Sequence, residues 1–457
     1  MAQIALISCN MAQEPYPVYP LGLSIIAEAA RTSGHSVFEW DLLMHKGSLS
    51  EAAGFIQSHQ PDYIGLSLRN IDTVNYNDQK SYVDGYRRMV DTIRRVSSAP
   101  LILGGSAFTI LPEAIMQATG ADYGITGEGE IAFCDLINAL ENGSAPSEKI
   151  LPPRPRLPGN QMGIARRNTR FTDFYLKKGG MLNVQTKRGC PHLCAYCSYP
   201  TLEGRVYRQR PAEEVADEVE MLIKEHRADY YAITDSVFND STGHYLEIAE
   251  ALVRRNIATP WMCFLRPDYF KADEVDLLKR AGLASIEWGT DCSTDQTLRA
   301  MKKDFTWDQV IHANNLFANA GIANAHFIIF GGPAETEQTV TEGLENINHL
   351  ENCVVFGSLG VRIFPHTAMY DRALQENVIT RETDLIEPVF YFSKDIDAAW
   401  IHDALLKSFA GREDRIYPDG QLLDKTSAFH LLGYRGPIWD YILKKGPTRR
   451  KRHVRQG

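Results

Sequence analysis

Three thiols in the run Lys187-Arg188-Gly189-Cys190-Pro191-His192-Leu193-Cys194-Ala195-Tyr196-Cys197 have the C-x3-C-x2-C spacing of a ligand loop. Thiolates at Cys190, Cys194 and Cys197 can hold three irons of a [4Fe–4S] cluster and leave the fourth iron open to a small chelating ligand. Such a cluster can do chemistry as well as carry electrons. The same residues allow two other readings. Zinc would want a fourth protein ligand or a water, and His192 lies between the cysteines, where a short loop places it poorly. The three thiols could also be plain core residues. Soft thiolates without a well-placed fourth ligand favour the cluster.

An aromatic residue, Tyr196, precedes the third cysteine, and the run then resembles the signature of the radical S-adenosylmethionine (SAM) superfamily. The resemblance implies that SAM chelates the open iron through its amino and carboxylate groups. One electron from the cluster then cleaves the sulfonium to a 5′-deoxyadenosyl radical. Further residues enter the cofactor site on the same resemblance. Asp235, in Ile233-Thr234-Asp235-Ser236, would stand near the SAM amino group or ribose, although the paired-glycine form of many relatives is missing here. Arg266, in Cys263-Phe264-Leu265-Arg266-Pro267, would meet the SAM carboxylate. Glu287, in Ile286-Glu287-Trp288-Gly289-Thr290-Asp291, would accept hydrogen bonds from SAM, and the following stretch through Leu298 to Met301-Lys302-Lys303 strengthens the match to a methyltransferase-like branch. Gly331 and Gly332 would let backbone approach the adenosyl group. Each has a plainer reading as well: a helix cap for Asp235, an ion pair for Glu287, a turn for the glycines.

These residues need strand ends to hold them. From Met181 the chain alternates strand and helix patterns, with strands expected at Met181–Thr186, Tyr230–Thr234, Trp261–Leu265, Ser285–Trp288, Ala325–Phe330 and Val354–Ile363. Six such units predict a partial (β/α)6 TIM-like barrel with its chemistry at the carboxyl-end loops. Residues 1–143 show a second alternation, with strands expected at Ile4–Ser8, Ser36–Asp41, Tyr63–Ser67, Leu101–Leu103 and Tyr123–Thr126. That pattern predicts a doubly wound, Rossmann-like parallel sheet. The fold class is therefore α/β. Residues 144–175 read as a proline-rich linker, 176–380 as the barrel domain, and 381–457 as a C-terminal extension with a basic tail.

No G-x-G-x-x-G fingerprint follows the first strand. Instead Tyr19-Pro20-Leu21-Gly22 opens the first helix, Gly104-Gly105-Ser106 follows the fourth strand, and Gly127-Glu128-Gly129 follows the fifth. Glycines at successive strand ends make a floor without side chains, which a broad corrin ring needs. These elements, with Ser67 at the third strand end, resemble the cobalamin (B12)-binding domain of the cobalamin-dependent radical SAM branch. The match then spans about residues 1–390. The cobalt-ligating Asp-x-His-x-x-Gly pattern is not intact, because Asp41 and His45 stand at the wrong spacing. Cobalamin is therefore expected without a protein histidine beneath cobalt.

Composition narrows the class further. The net charge is −9, and the last fourteen residues carry seven Lys or Arg and no acid, so the remainder carries −16. So acidic a body argues against phosphate-backbone binding and nucleic-acid partners. No run of about 18 apolar residues suggests a membrane span. Cys9, Cys134, Cys263, Cys292 and Cys353 lie in apolar segments and read as buried free thiols. That usage and an oxygen-sensitive cluster point to the cytoplasm.

The leading expectation is a cobalamin-dependent radical SAM enzyme that C-methylates an unactivated carbon, using the cluster, SAM and cobalamin. Cyclisation, rearrangement or oxidation without methyl transfer is the alternative. A tRNA methylthiotransferase would need three more cluster cysteines in the N-terminal half, which has only Cys9 and Cys134. A non-catalytic cobalamin or SAM sensor would have no need of the three thiols. The stretch Cys197–Gly204 with Arg208-x-Arg210-Pro211 resembles a subgroup linked with ladderane-type lipid biosynthesis. That resemblance implies an acyl substrate and an acyl carrier protein as a further partner. The electron would come from a donor such as flavodoxin or ferredoxin.

Overall fold

The computed structural model describes residues 1–268, 270–418, 426 and 428–445. The basic tail lies outside the described residues. Two parallel sheets organise the chain. The first holds β1 (Gln3–Ser8), β2 (Ser36–Asp41), β3 (Tyr63–Ser67), β4 (Leu101–Gly104), β5 (Tyr123–Ile125) and β6 (Ile150–Leu151), in the order β2-β1-β3-β4-β5-β6. The order reverses between β1 and β3, which marks the switch point where such sheets bind ligands at their carboxyl ends. Helices cover the sheet by ordinary periodicity. In the helix Val83–Arg94, for instance, Val83, Tyr86, Met89, Val90 and Ile93 form the buried stripe. The proline-rich stretch differs from expectation, since Ile150 and Leu151 pair with Gly124 and Ile125 and add a sixth strand.

In the barrel half, β7 (Leu182–Val184) leads into a two-stranded ribbon of β8 (Lys187–Arg188) and β9 (Arg208–Gln209) that brackets the cysteine loop. The second sheet continues through β10 (Tyr231–Ile233), β11 (Trp261–Leu265), β12 (Leu283–Asp291), β13 (Ala323–Phe330) and β14 (Cys353–Leu359). A further ribbon pairs β15 (Val361–Arg362) with β16 (Phe390–Tyr391). The six expected barrel strands are present, and β17 (Arg415–Ile416) adds a seventh beside β14.

The C-terminal region closes the floor of this open barrel. Ile438 and Trp439, from the helix Ile438–Lys445, are fully buried against Ala232, Ala323, Ala325 and Val354. The alanines leave the volume that the indole fills. Phe327 and Phe356 stack at 4.4 Å, and both meet the Trp439 ring edge-on at 6.2 Å.

The two sheets face each other with their carboxyl-end loops. Tyr16, after β1, reaches into the barrel and bonds Met262 Sδ at 3.6 Å. Asp72, beyond β3, pairs with Arg362 Nε at 2.8 Å, both side chains being buried. Glu128, after β5, pairs with Arg188 at 3.2 Å. The seam therefore runs through the ends where each fold places its chemistry.

Candidate active site between the domains

The cysteine loop is held from three sides. Gly189 has φ +92°, and a Cβ there would lie 2.1 Å from Val206 O, so only glycine fits. Cys190 N donates to Gly204 O at 3.0 Å, and Ala195 N donates to Met301 O at 2.9 Å. Asp235 lies beneath, accepting from Thr186 N at 2.7 Å, from the Thr186 hydroxyl and from Lys187 N at 3.3 Å. Both of its oxygens are thus engaged in shaping the approach to Cys190.

The thiols lie within electrostatic reach of one another. Burial pushes Cys197 up to about 12, with the Cys194 and Cys190 sulfurs adding to the effect, and burial raises Cys190 as well. Among the described residues no three His, Cys, Asp or Glu side chains converge on a single metal ion. A cluster spreads its thiolates over three irons and does not ask for that convergence. The soft donor set and its buried setting fit a [4Fe–4S] cluster held by Cys190, Cys194 and Cys197. His192 turns instead to Arg266 Nη1 at 3.3 Å and the Tyr207 hydroxyl at 3.5 Å. The remaining five cysteines are free and buried, as expected.

A buried cation beside the loop has no assignment from sequence alone. Lys303 pairs with Asp291, donates to Gly289 O at 3.2 Å, and lies 5.5 Å from the Tyr196 ring centroid. Tyr196 completes the set by donating to Asp291 at 2.7 Å. Burial disfavours the ammonium, but Asp291 and the Cys194 sulfur outweigh it and hold Lys303 charged. The signal is present in Met301-Lys302-Lys303, although only ion-pair geometry distinguishes Lys303 from exposed Lys302.

The other barrel residues fall on the same rim with distinct partners. Arg266 pairs with Asp268 at 2.9 Å and with Asp304, and its guanidinium lies 5.0 Å from the Phe305 ring. Gly331 has φ +91°, and its N–H and that of Gly332 both donate to Glu335, at 2.8 and 3.1 Å. Glu335 is thereby fixed under the turn, with burial pushing it up to about 7 against those two bonds.

Glu287 lies on β12 and is half-buried. Burial, then Asp291, pushes it up to about 8, although its surface is only partly covered. Tyr199 shows the same combination, with 40% of its surface accessible while burial raises its phenol. Arg69, after β3, and Glu287, on β12, act with opposite sign on both Tyr16 and Tyr199. These four groups from the two domains thus lie within electrostatic reach of one another across the seam, and of these the sequence alone points only to Glu287.

The cobalamin-side residues divide. A Cβ added at Gly22 would have nothing within 4 Å, and one at Gly104 would have only Ile125 O at 4.0 Å. Ser67 and Gly104 are register partners at the ends of β3 and β4, and the Ser106 hydroxyl donates to Arg69 O at 2.6 Å. Gly105 is required by its neighbour, because a Cβ would lie 2.5 Å from Leu68 O. Gly127 and Gly129 pack against Pro153 and Ile26, and Glu128 is taken up by Arg188 and Arg208. Tyr19 is buried at the seam, bonding Ser24 at 2.7 Å beneath the Arg167 guanidinium, and Leu21 follows it at the helix start. His45 stacks on Trp40 at 4.7 Å and bonds Glu51 at 2.7 Å, so its imidazole is already engaged. A groove of about 640 Å³ along edge strand β2 contains none of these cofactor residues.

Residues 7–137 match the B12 binding domain, and residues 184–347 match the radical SAM superfamily. The chain is 25% identical over 443 aligned residues to tryptophan 2-C-methyltransferase of Streptomyces laurentii, covering 80% of this chain and 73% of that protein. It is 24% identical over 329 residues to hopanoid C-3 methylase of Methylococcus capsulatus, covering 67% and 60%. The solved structure of a radical SAM methyltransferase, TsrM, from Kitasatospora setae, with tryptophan and a SAM analogue bound, superposes with a TM-score of 0.87 at 23% identity and 97% coverage of both chains. No helix among the described residues is long and apolar enough to cross a membrane.

Proposed function

The chain belongs to the cobalamin-binding radical SAM enzymes, and on that premise we propose that it methylates a carbon atom of a small molecule held between Glu287 and Arg69. When bound, the cluster with SAM supplies one-electron activation of carbon, and cobalamin supplies a carrier for the methyl group. The residues present decide what is held and how. Cys190, Cys194 and Cys197 would hold the cluster. Lys303 sets a positive charge beside their sulfurs. Gly332, at a strand end, would let backbone approach the adenosyl group, whereas Gly331 is packed against Phe392 and Ile401, and Gly22, Gly104 and Ser106 would floor the corrin ring.

The observation that supports the substrate reading is that Glu287, Arg69, Tyr16 and Tyr199, drawn from both domains, lie within electrostatic reach of one another where Tyr16 crosses the seam to Met262. A carboxyl near 8 is largely protonated at neutral pH and can donate or take up a proton at Oε. A guanidinium opposite it suits an anionic group, and two phenol rings suit a planar apolar body. A compact substrate with an ionisable group fits this lining better than a long acyl chain. Arg208 and Arg210, which carry the lipid-type resemblance, are engaged with Glu128 and Glu218. A substrate enclosed at the seam between the domains would be kept from water and other hydrogen donors.

The electron must come from a partner. Leu193 and Val206, beside the cluster loop, are 62% and 72% exposed, with exposed Arg205 next to Val206 and the Arg156 guanidinium over Gly204. An apolar pair in a basic surround suits an acidic one-electron carrier such as flavodoxin or ferredoxin.

The test is anaerobic turnover with hydroxocobalamin, reductant, methyl-deuterated SAM and a panel of small aromatic and amino-acid substrates. The expected result is a product carrying the deuterated methyl group on carbon. SAM cleavage to 5′-deoxyadenosine with an altered but unlabelled product would instead support cyclisation, rearrangement or oxidation.

A further inference from the structure

An ion-pair cluster joins the two cofactor domains immediately behind the cysteine loop. Glu128 and Glu130 come from the start of the helix that follows β5. Arg188 Nη1 lies 3.2 Å from Glu128 and 2.7 Å from Glu130. Arg208 forks onto both oxygens of Glu128, with one arm at 3.0 Å. All four side chains are at most 14% exposed, so these charges interact with little solvent screening.

From Arg188 the connection continues to the ligand loop without a gap. Arg188 Nε donates to Gln185 Oε1 at 3.0 Å, and Gln185 Nε2 donates to Glu203 Oε1 at 2.9 Å. Glu203 Oε2 then accepts the Gly189 N–H at 3.1 Å, one residue before Cys190. Arg208 closes a second path by donating to Glu203 O at 3.0 Å. On the barrel side the same turn rests on Asp235. The Gly189 turn is therefore clamped between its own barrel and the opposite domain.

Resting on the reading of both cofactor sites, we propose that Arg188 and Arg208 are positioning residues that couple the two sites through Glu128 and Glu130. The pairs fix the register of the cysteine loop against the cobalamin domain. A shift of the helix Gly129–Glu141 when its domain takes up cobalamin then reaches the loop through Arg188, Gln185 and Glu203. Coupling of this kind is reciprocal, so cluster assembly changes cobalamin affinity by the factor with which cobalamin changes the cluster.

The experiment uses the full chain and the charge-balanced variant E128Q/R208Q, which removes one ion pair without leaving either charge alone. Hydroxocobalamin affinity is measured by absorbance titration in cluster-loaded and cluster-free protein. In the wild type the two affinities differ by about fivefold or more, and in the variant the ratio collapses toward one while iron content holds. A ratio near one in the wild type, or one unchanged in the variant, overturns the proposal. Failure of the wild type to bind hydroxocobalamin at all contradicts the family reading instead. Should E128Q/R208Q fail to fold, the single variant E203Q breaks the same path at its last link, without touching an arginine. There too the ratio falls toward one if the coupling runs through Glu203, and its persistence overturns the proposal.

Discussion

Tyr196 donates a hydrogen bond of 2.7 Å to Asp291, the residue that also neutralises buried Lys303 beside the cluster cysteines. Two residues far apart in sequence thus set the charge next to the ligand loop. Asp291 has φ +61°, a conformation that asparagine adopts readily. D291N therefore tests charge and not backbone. It leaves the Lys303 ammonium uncompensated and should cost about 3–5 kcal/mol in denaturant unfolding. Y196F removes one bond to a charged acceptor and should cost about 1.5–3 kcal/mol. Equal effects for the two would contradict the ranking.

Gly189 should tolerate no side chain. The G189A methyl would meet the Val206 carbonyl, a backbone atom that cannot move aside cheaply. The expected outcome is protein that folds but binds much less iron after anaerobic reconstitution. A full iron complement in G189A would show that the loop has slack.

Glu287 predicts a pH dependence with a definite sign. Its folded value of about 8 lies above the ordinary glutamate value near 4.5. Between those values the folded cofactor-free protein keeps a proton that the unfolded chain has lost. The Glu287 contribution to stability therefore declines as pH rises from about 4.5 to about 8. The difference between wild type and E287Q in thermal-melt series should therefore shrink over that range, because the other buried carboxyls and histidines, Glu335 among them, are common to both proteins. A steeper decline in E287Q would reverse the assignment.

Trp439 predicts that the C-terminal region belongs to the barrel core. Truncation in W439A empties the space between Phe327, Phe356 and the floor alanines, and should cost about 3–5 kcal/mol. Melting unchanged from the wild type would mean that the barrel stands without its plug.

The sheets and the ligand loop are legible in the sequence because they are local. Cys190, Cys194 and Cys197 fall within eight residues, and strand–helix alternation needs only periodicity. The short strands β6 and β17 are not legible, since two residues carry no period and exist only through their neighbours. The seam is hidden for a different reason. Glu128 reads as part of a glycine floor in sequence, whereas its partners Arg188 and Arg208 lie 60 and 80 residues away. Asp235 is visible as a strand-end acid, but its task of holding Thr186 and Lys187 depends on a contact 49 residues distant. Arg69 and Lys303 give no stronger signal than any surface base until burial and pairing distinguish them.

The most direct test of the central claim is anaerobic reconstitution of the full chain with iron, sulfide and hydroxocobalamin, followed by iron and cobalt analysis. The account predicts about four irons and one cobalamin per chain, with the irons lost and cobalamin retained in C194A. Iron assembled without cobalamin would contradict it, leaving a radical SAM barrel whose N-terminal domain serves another ligand.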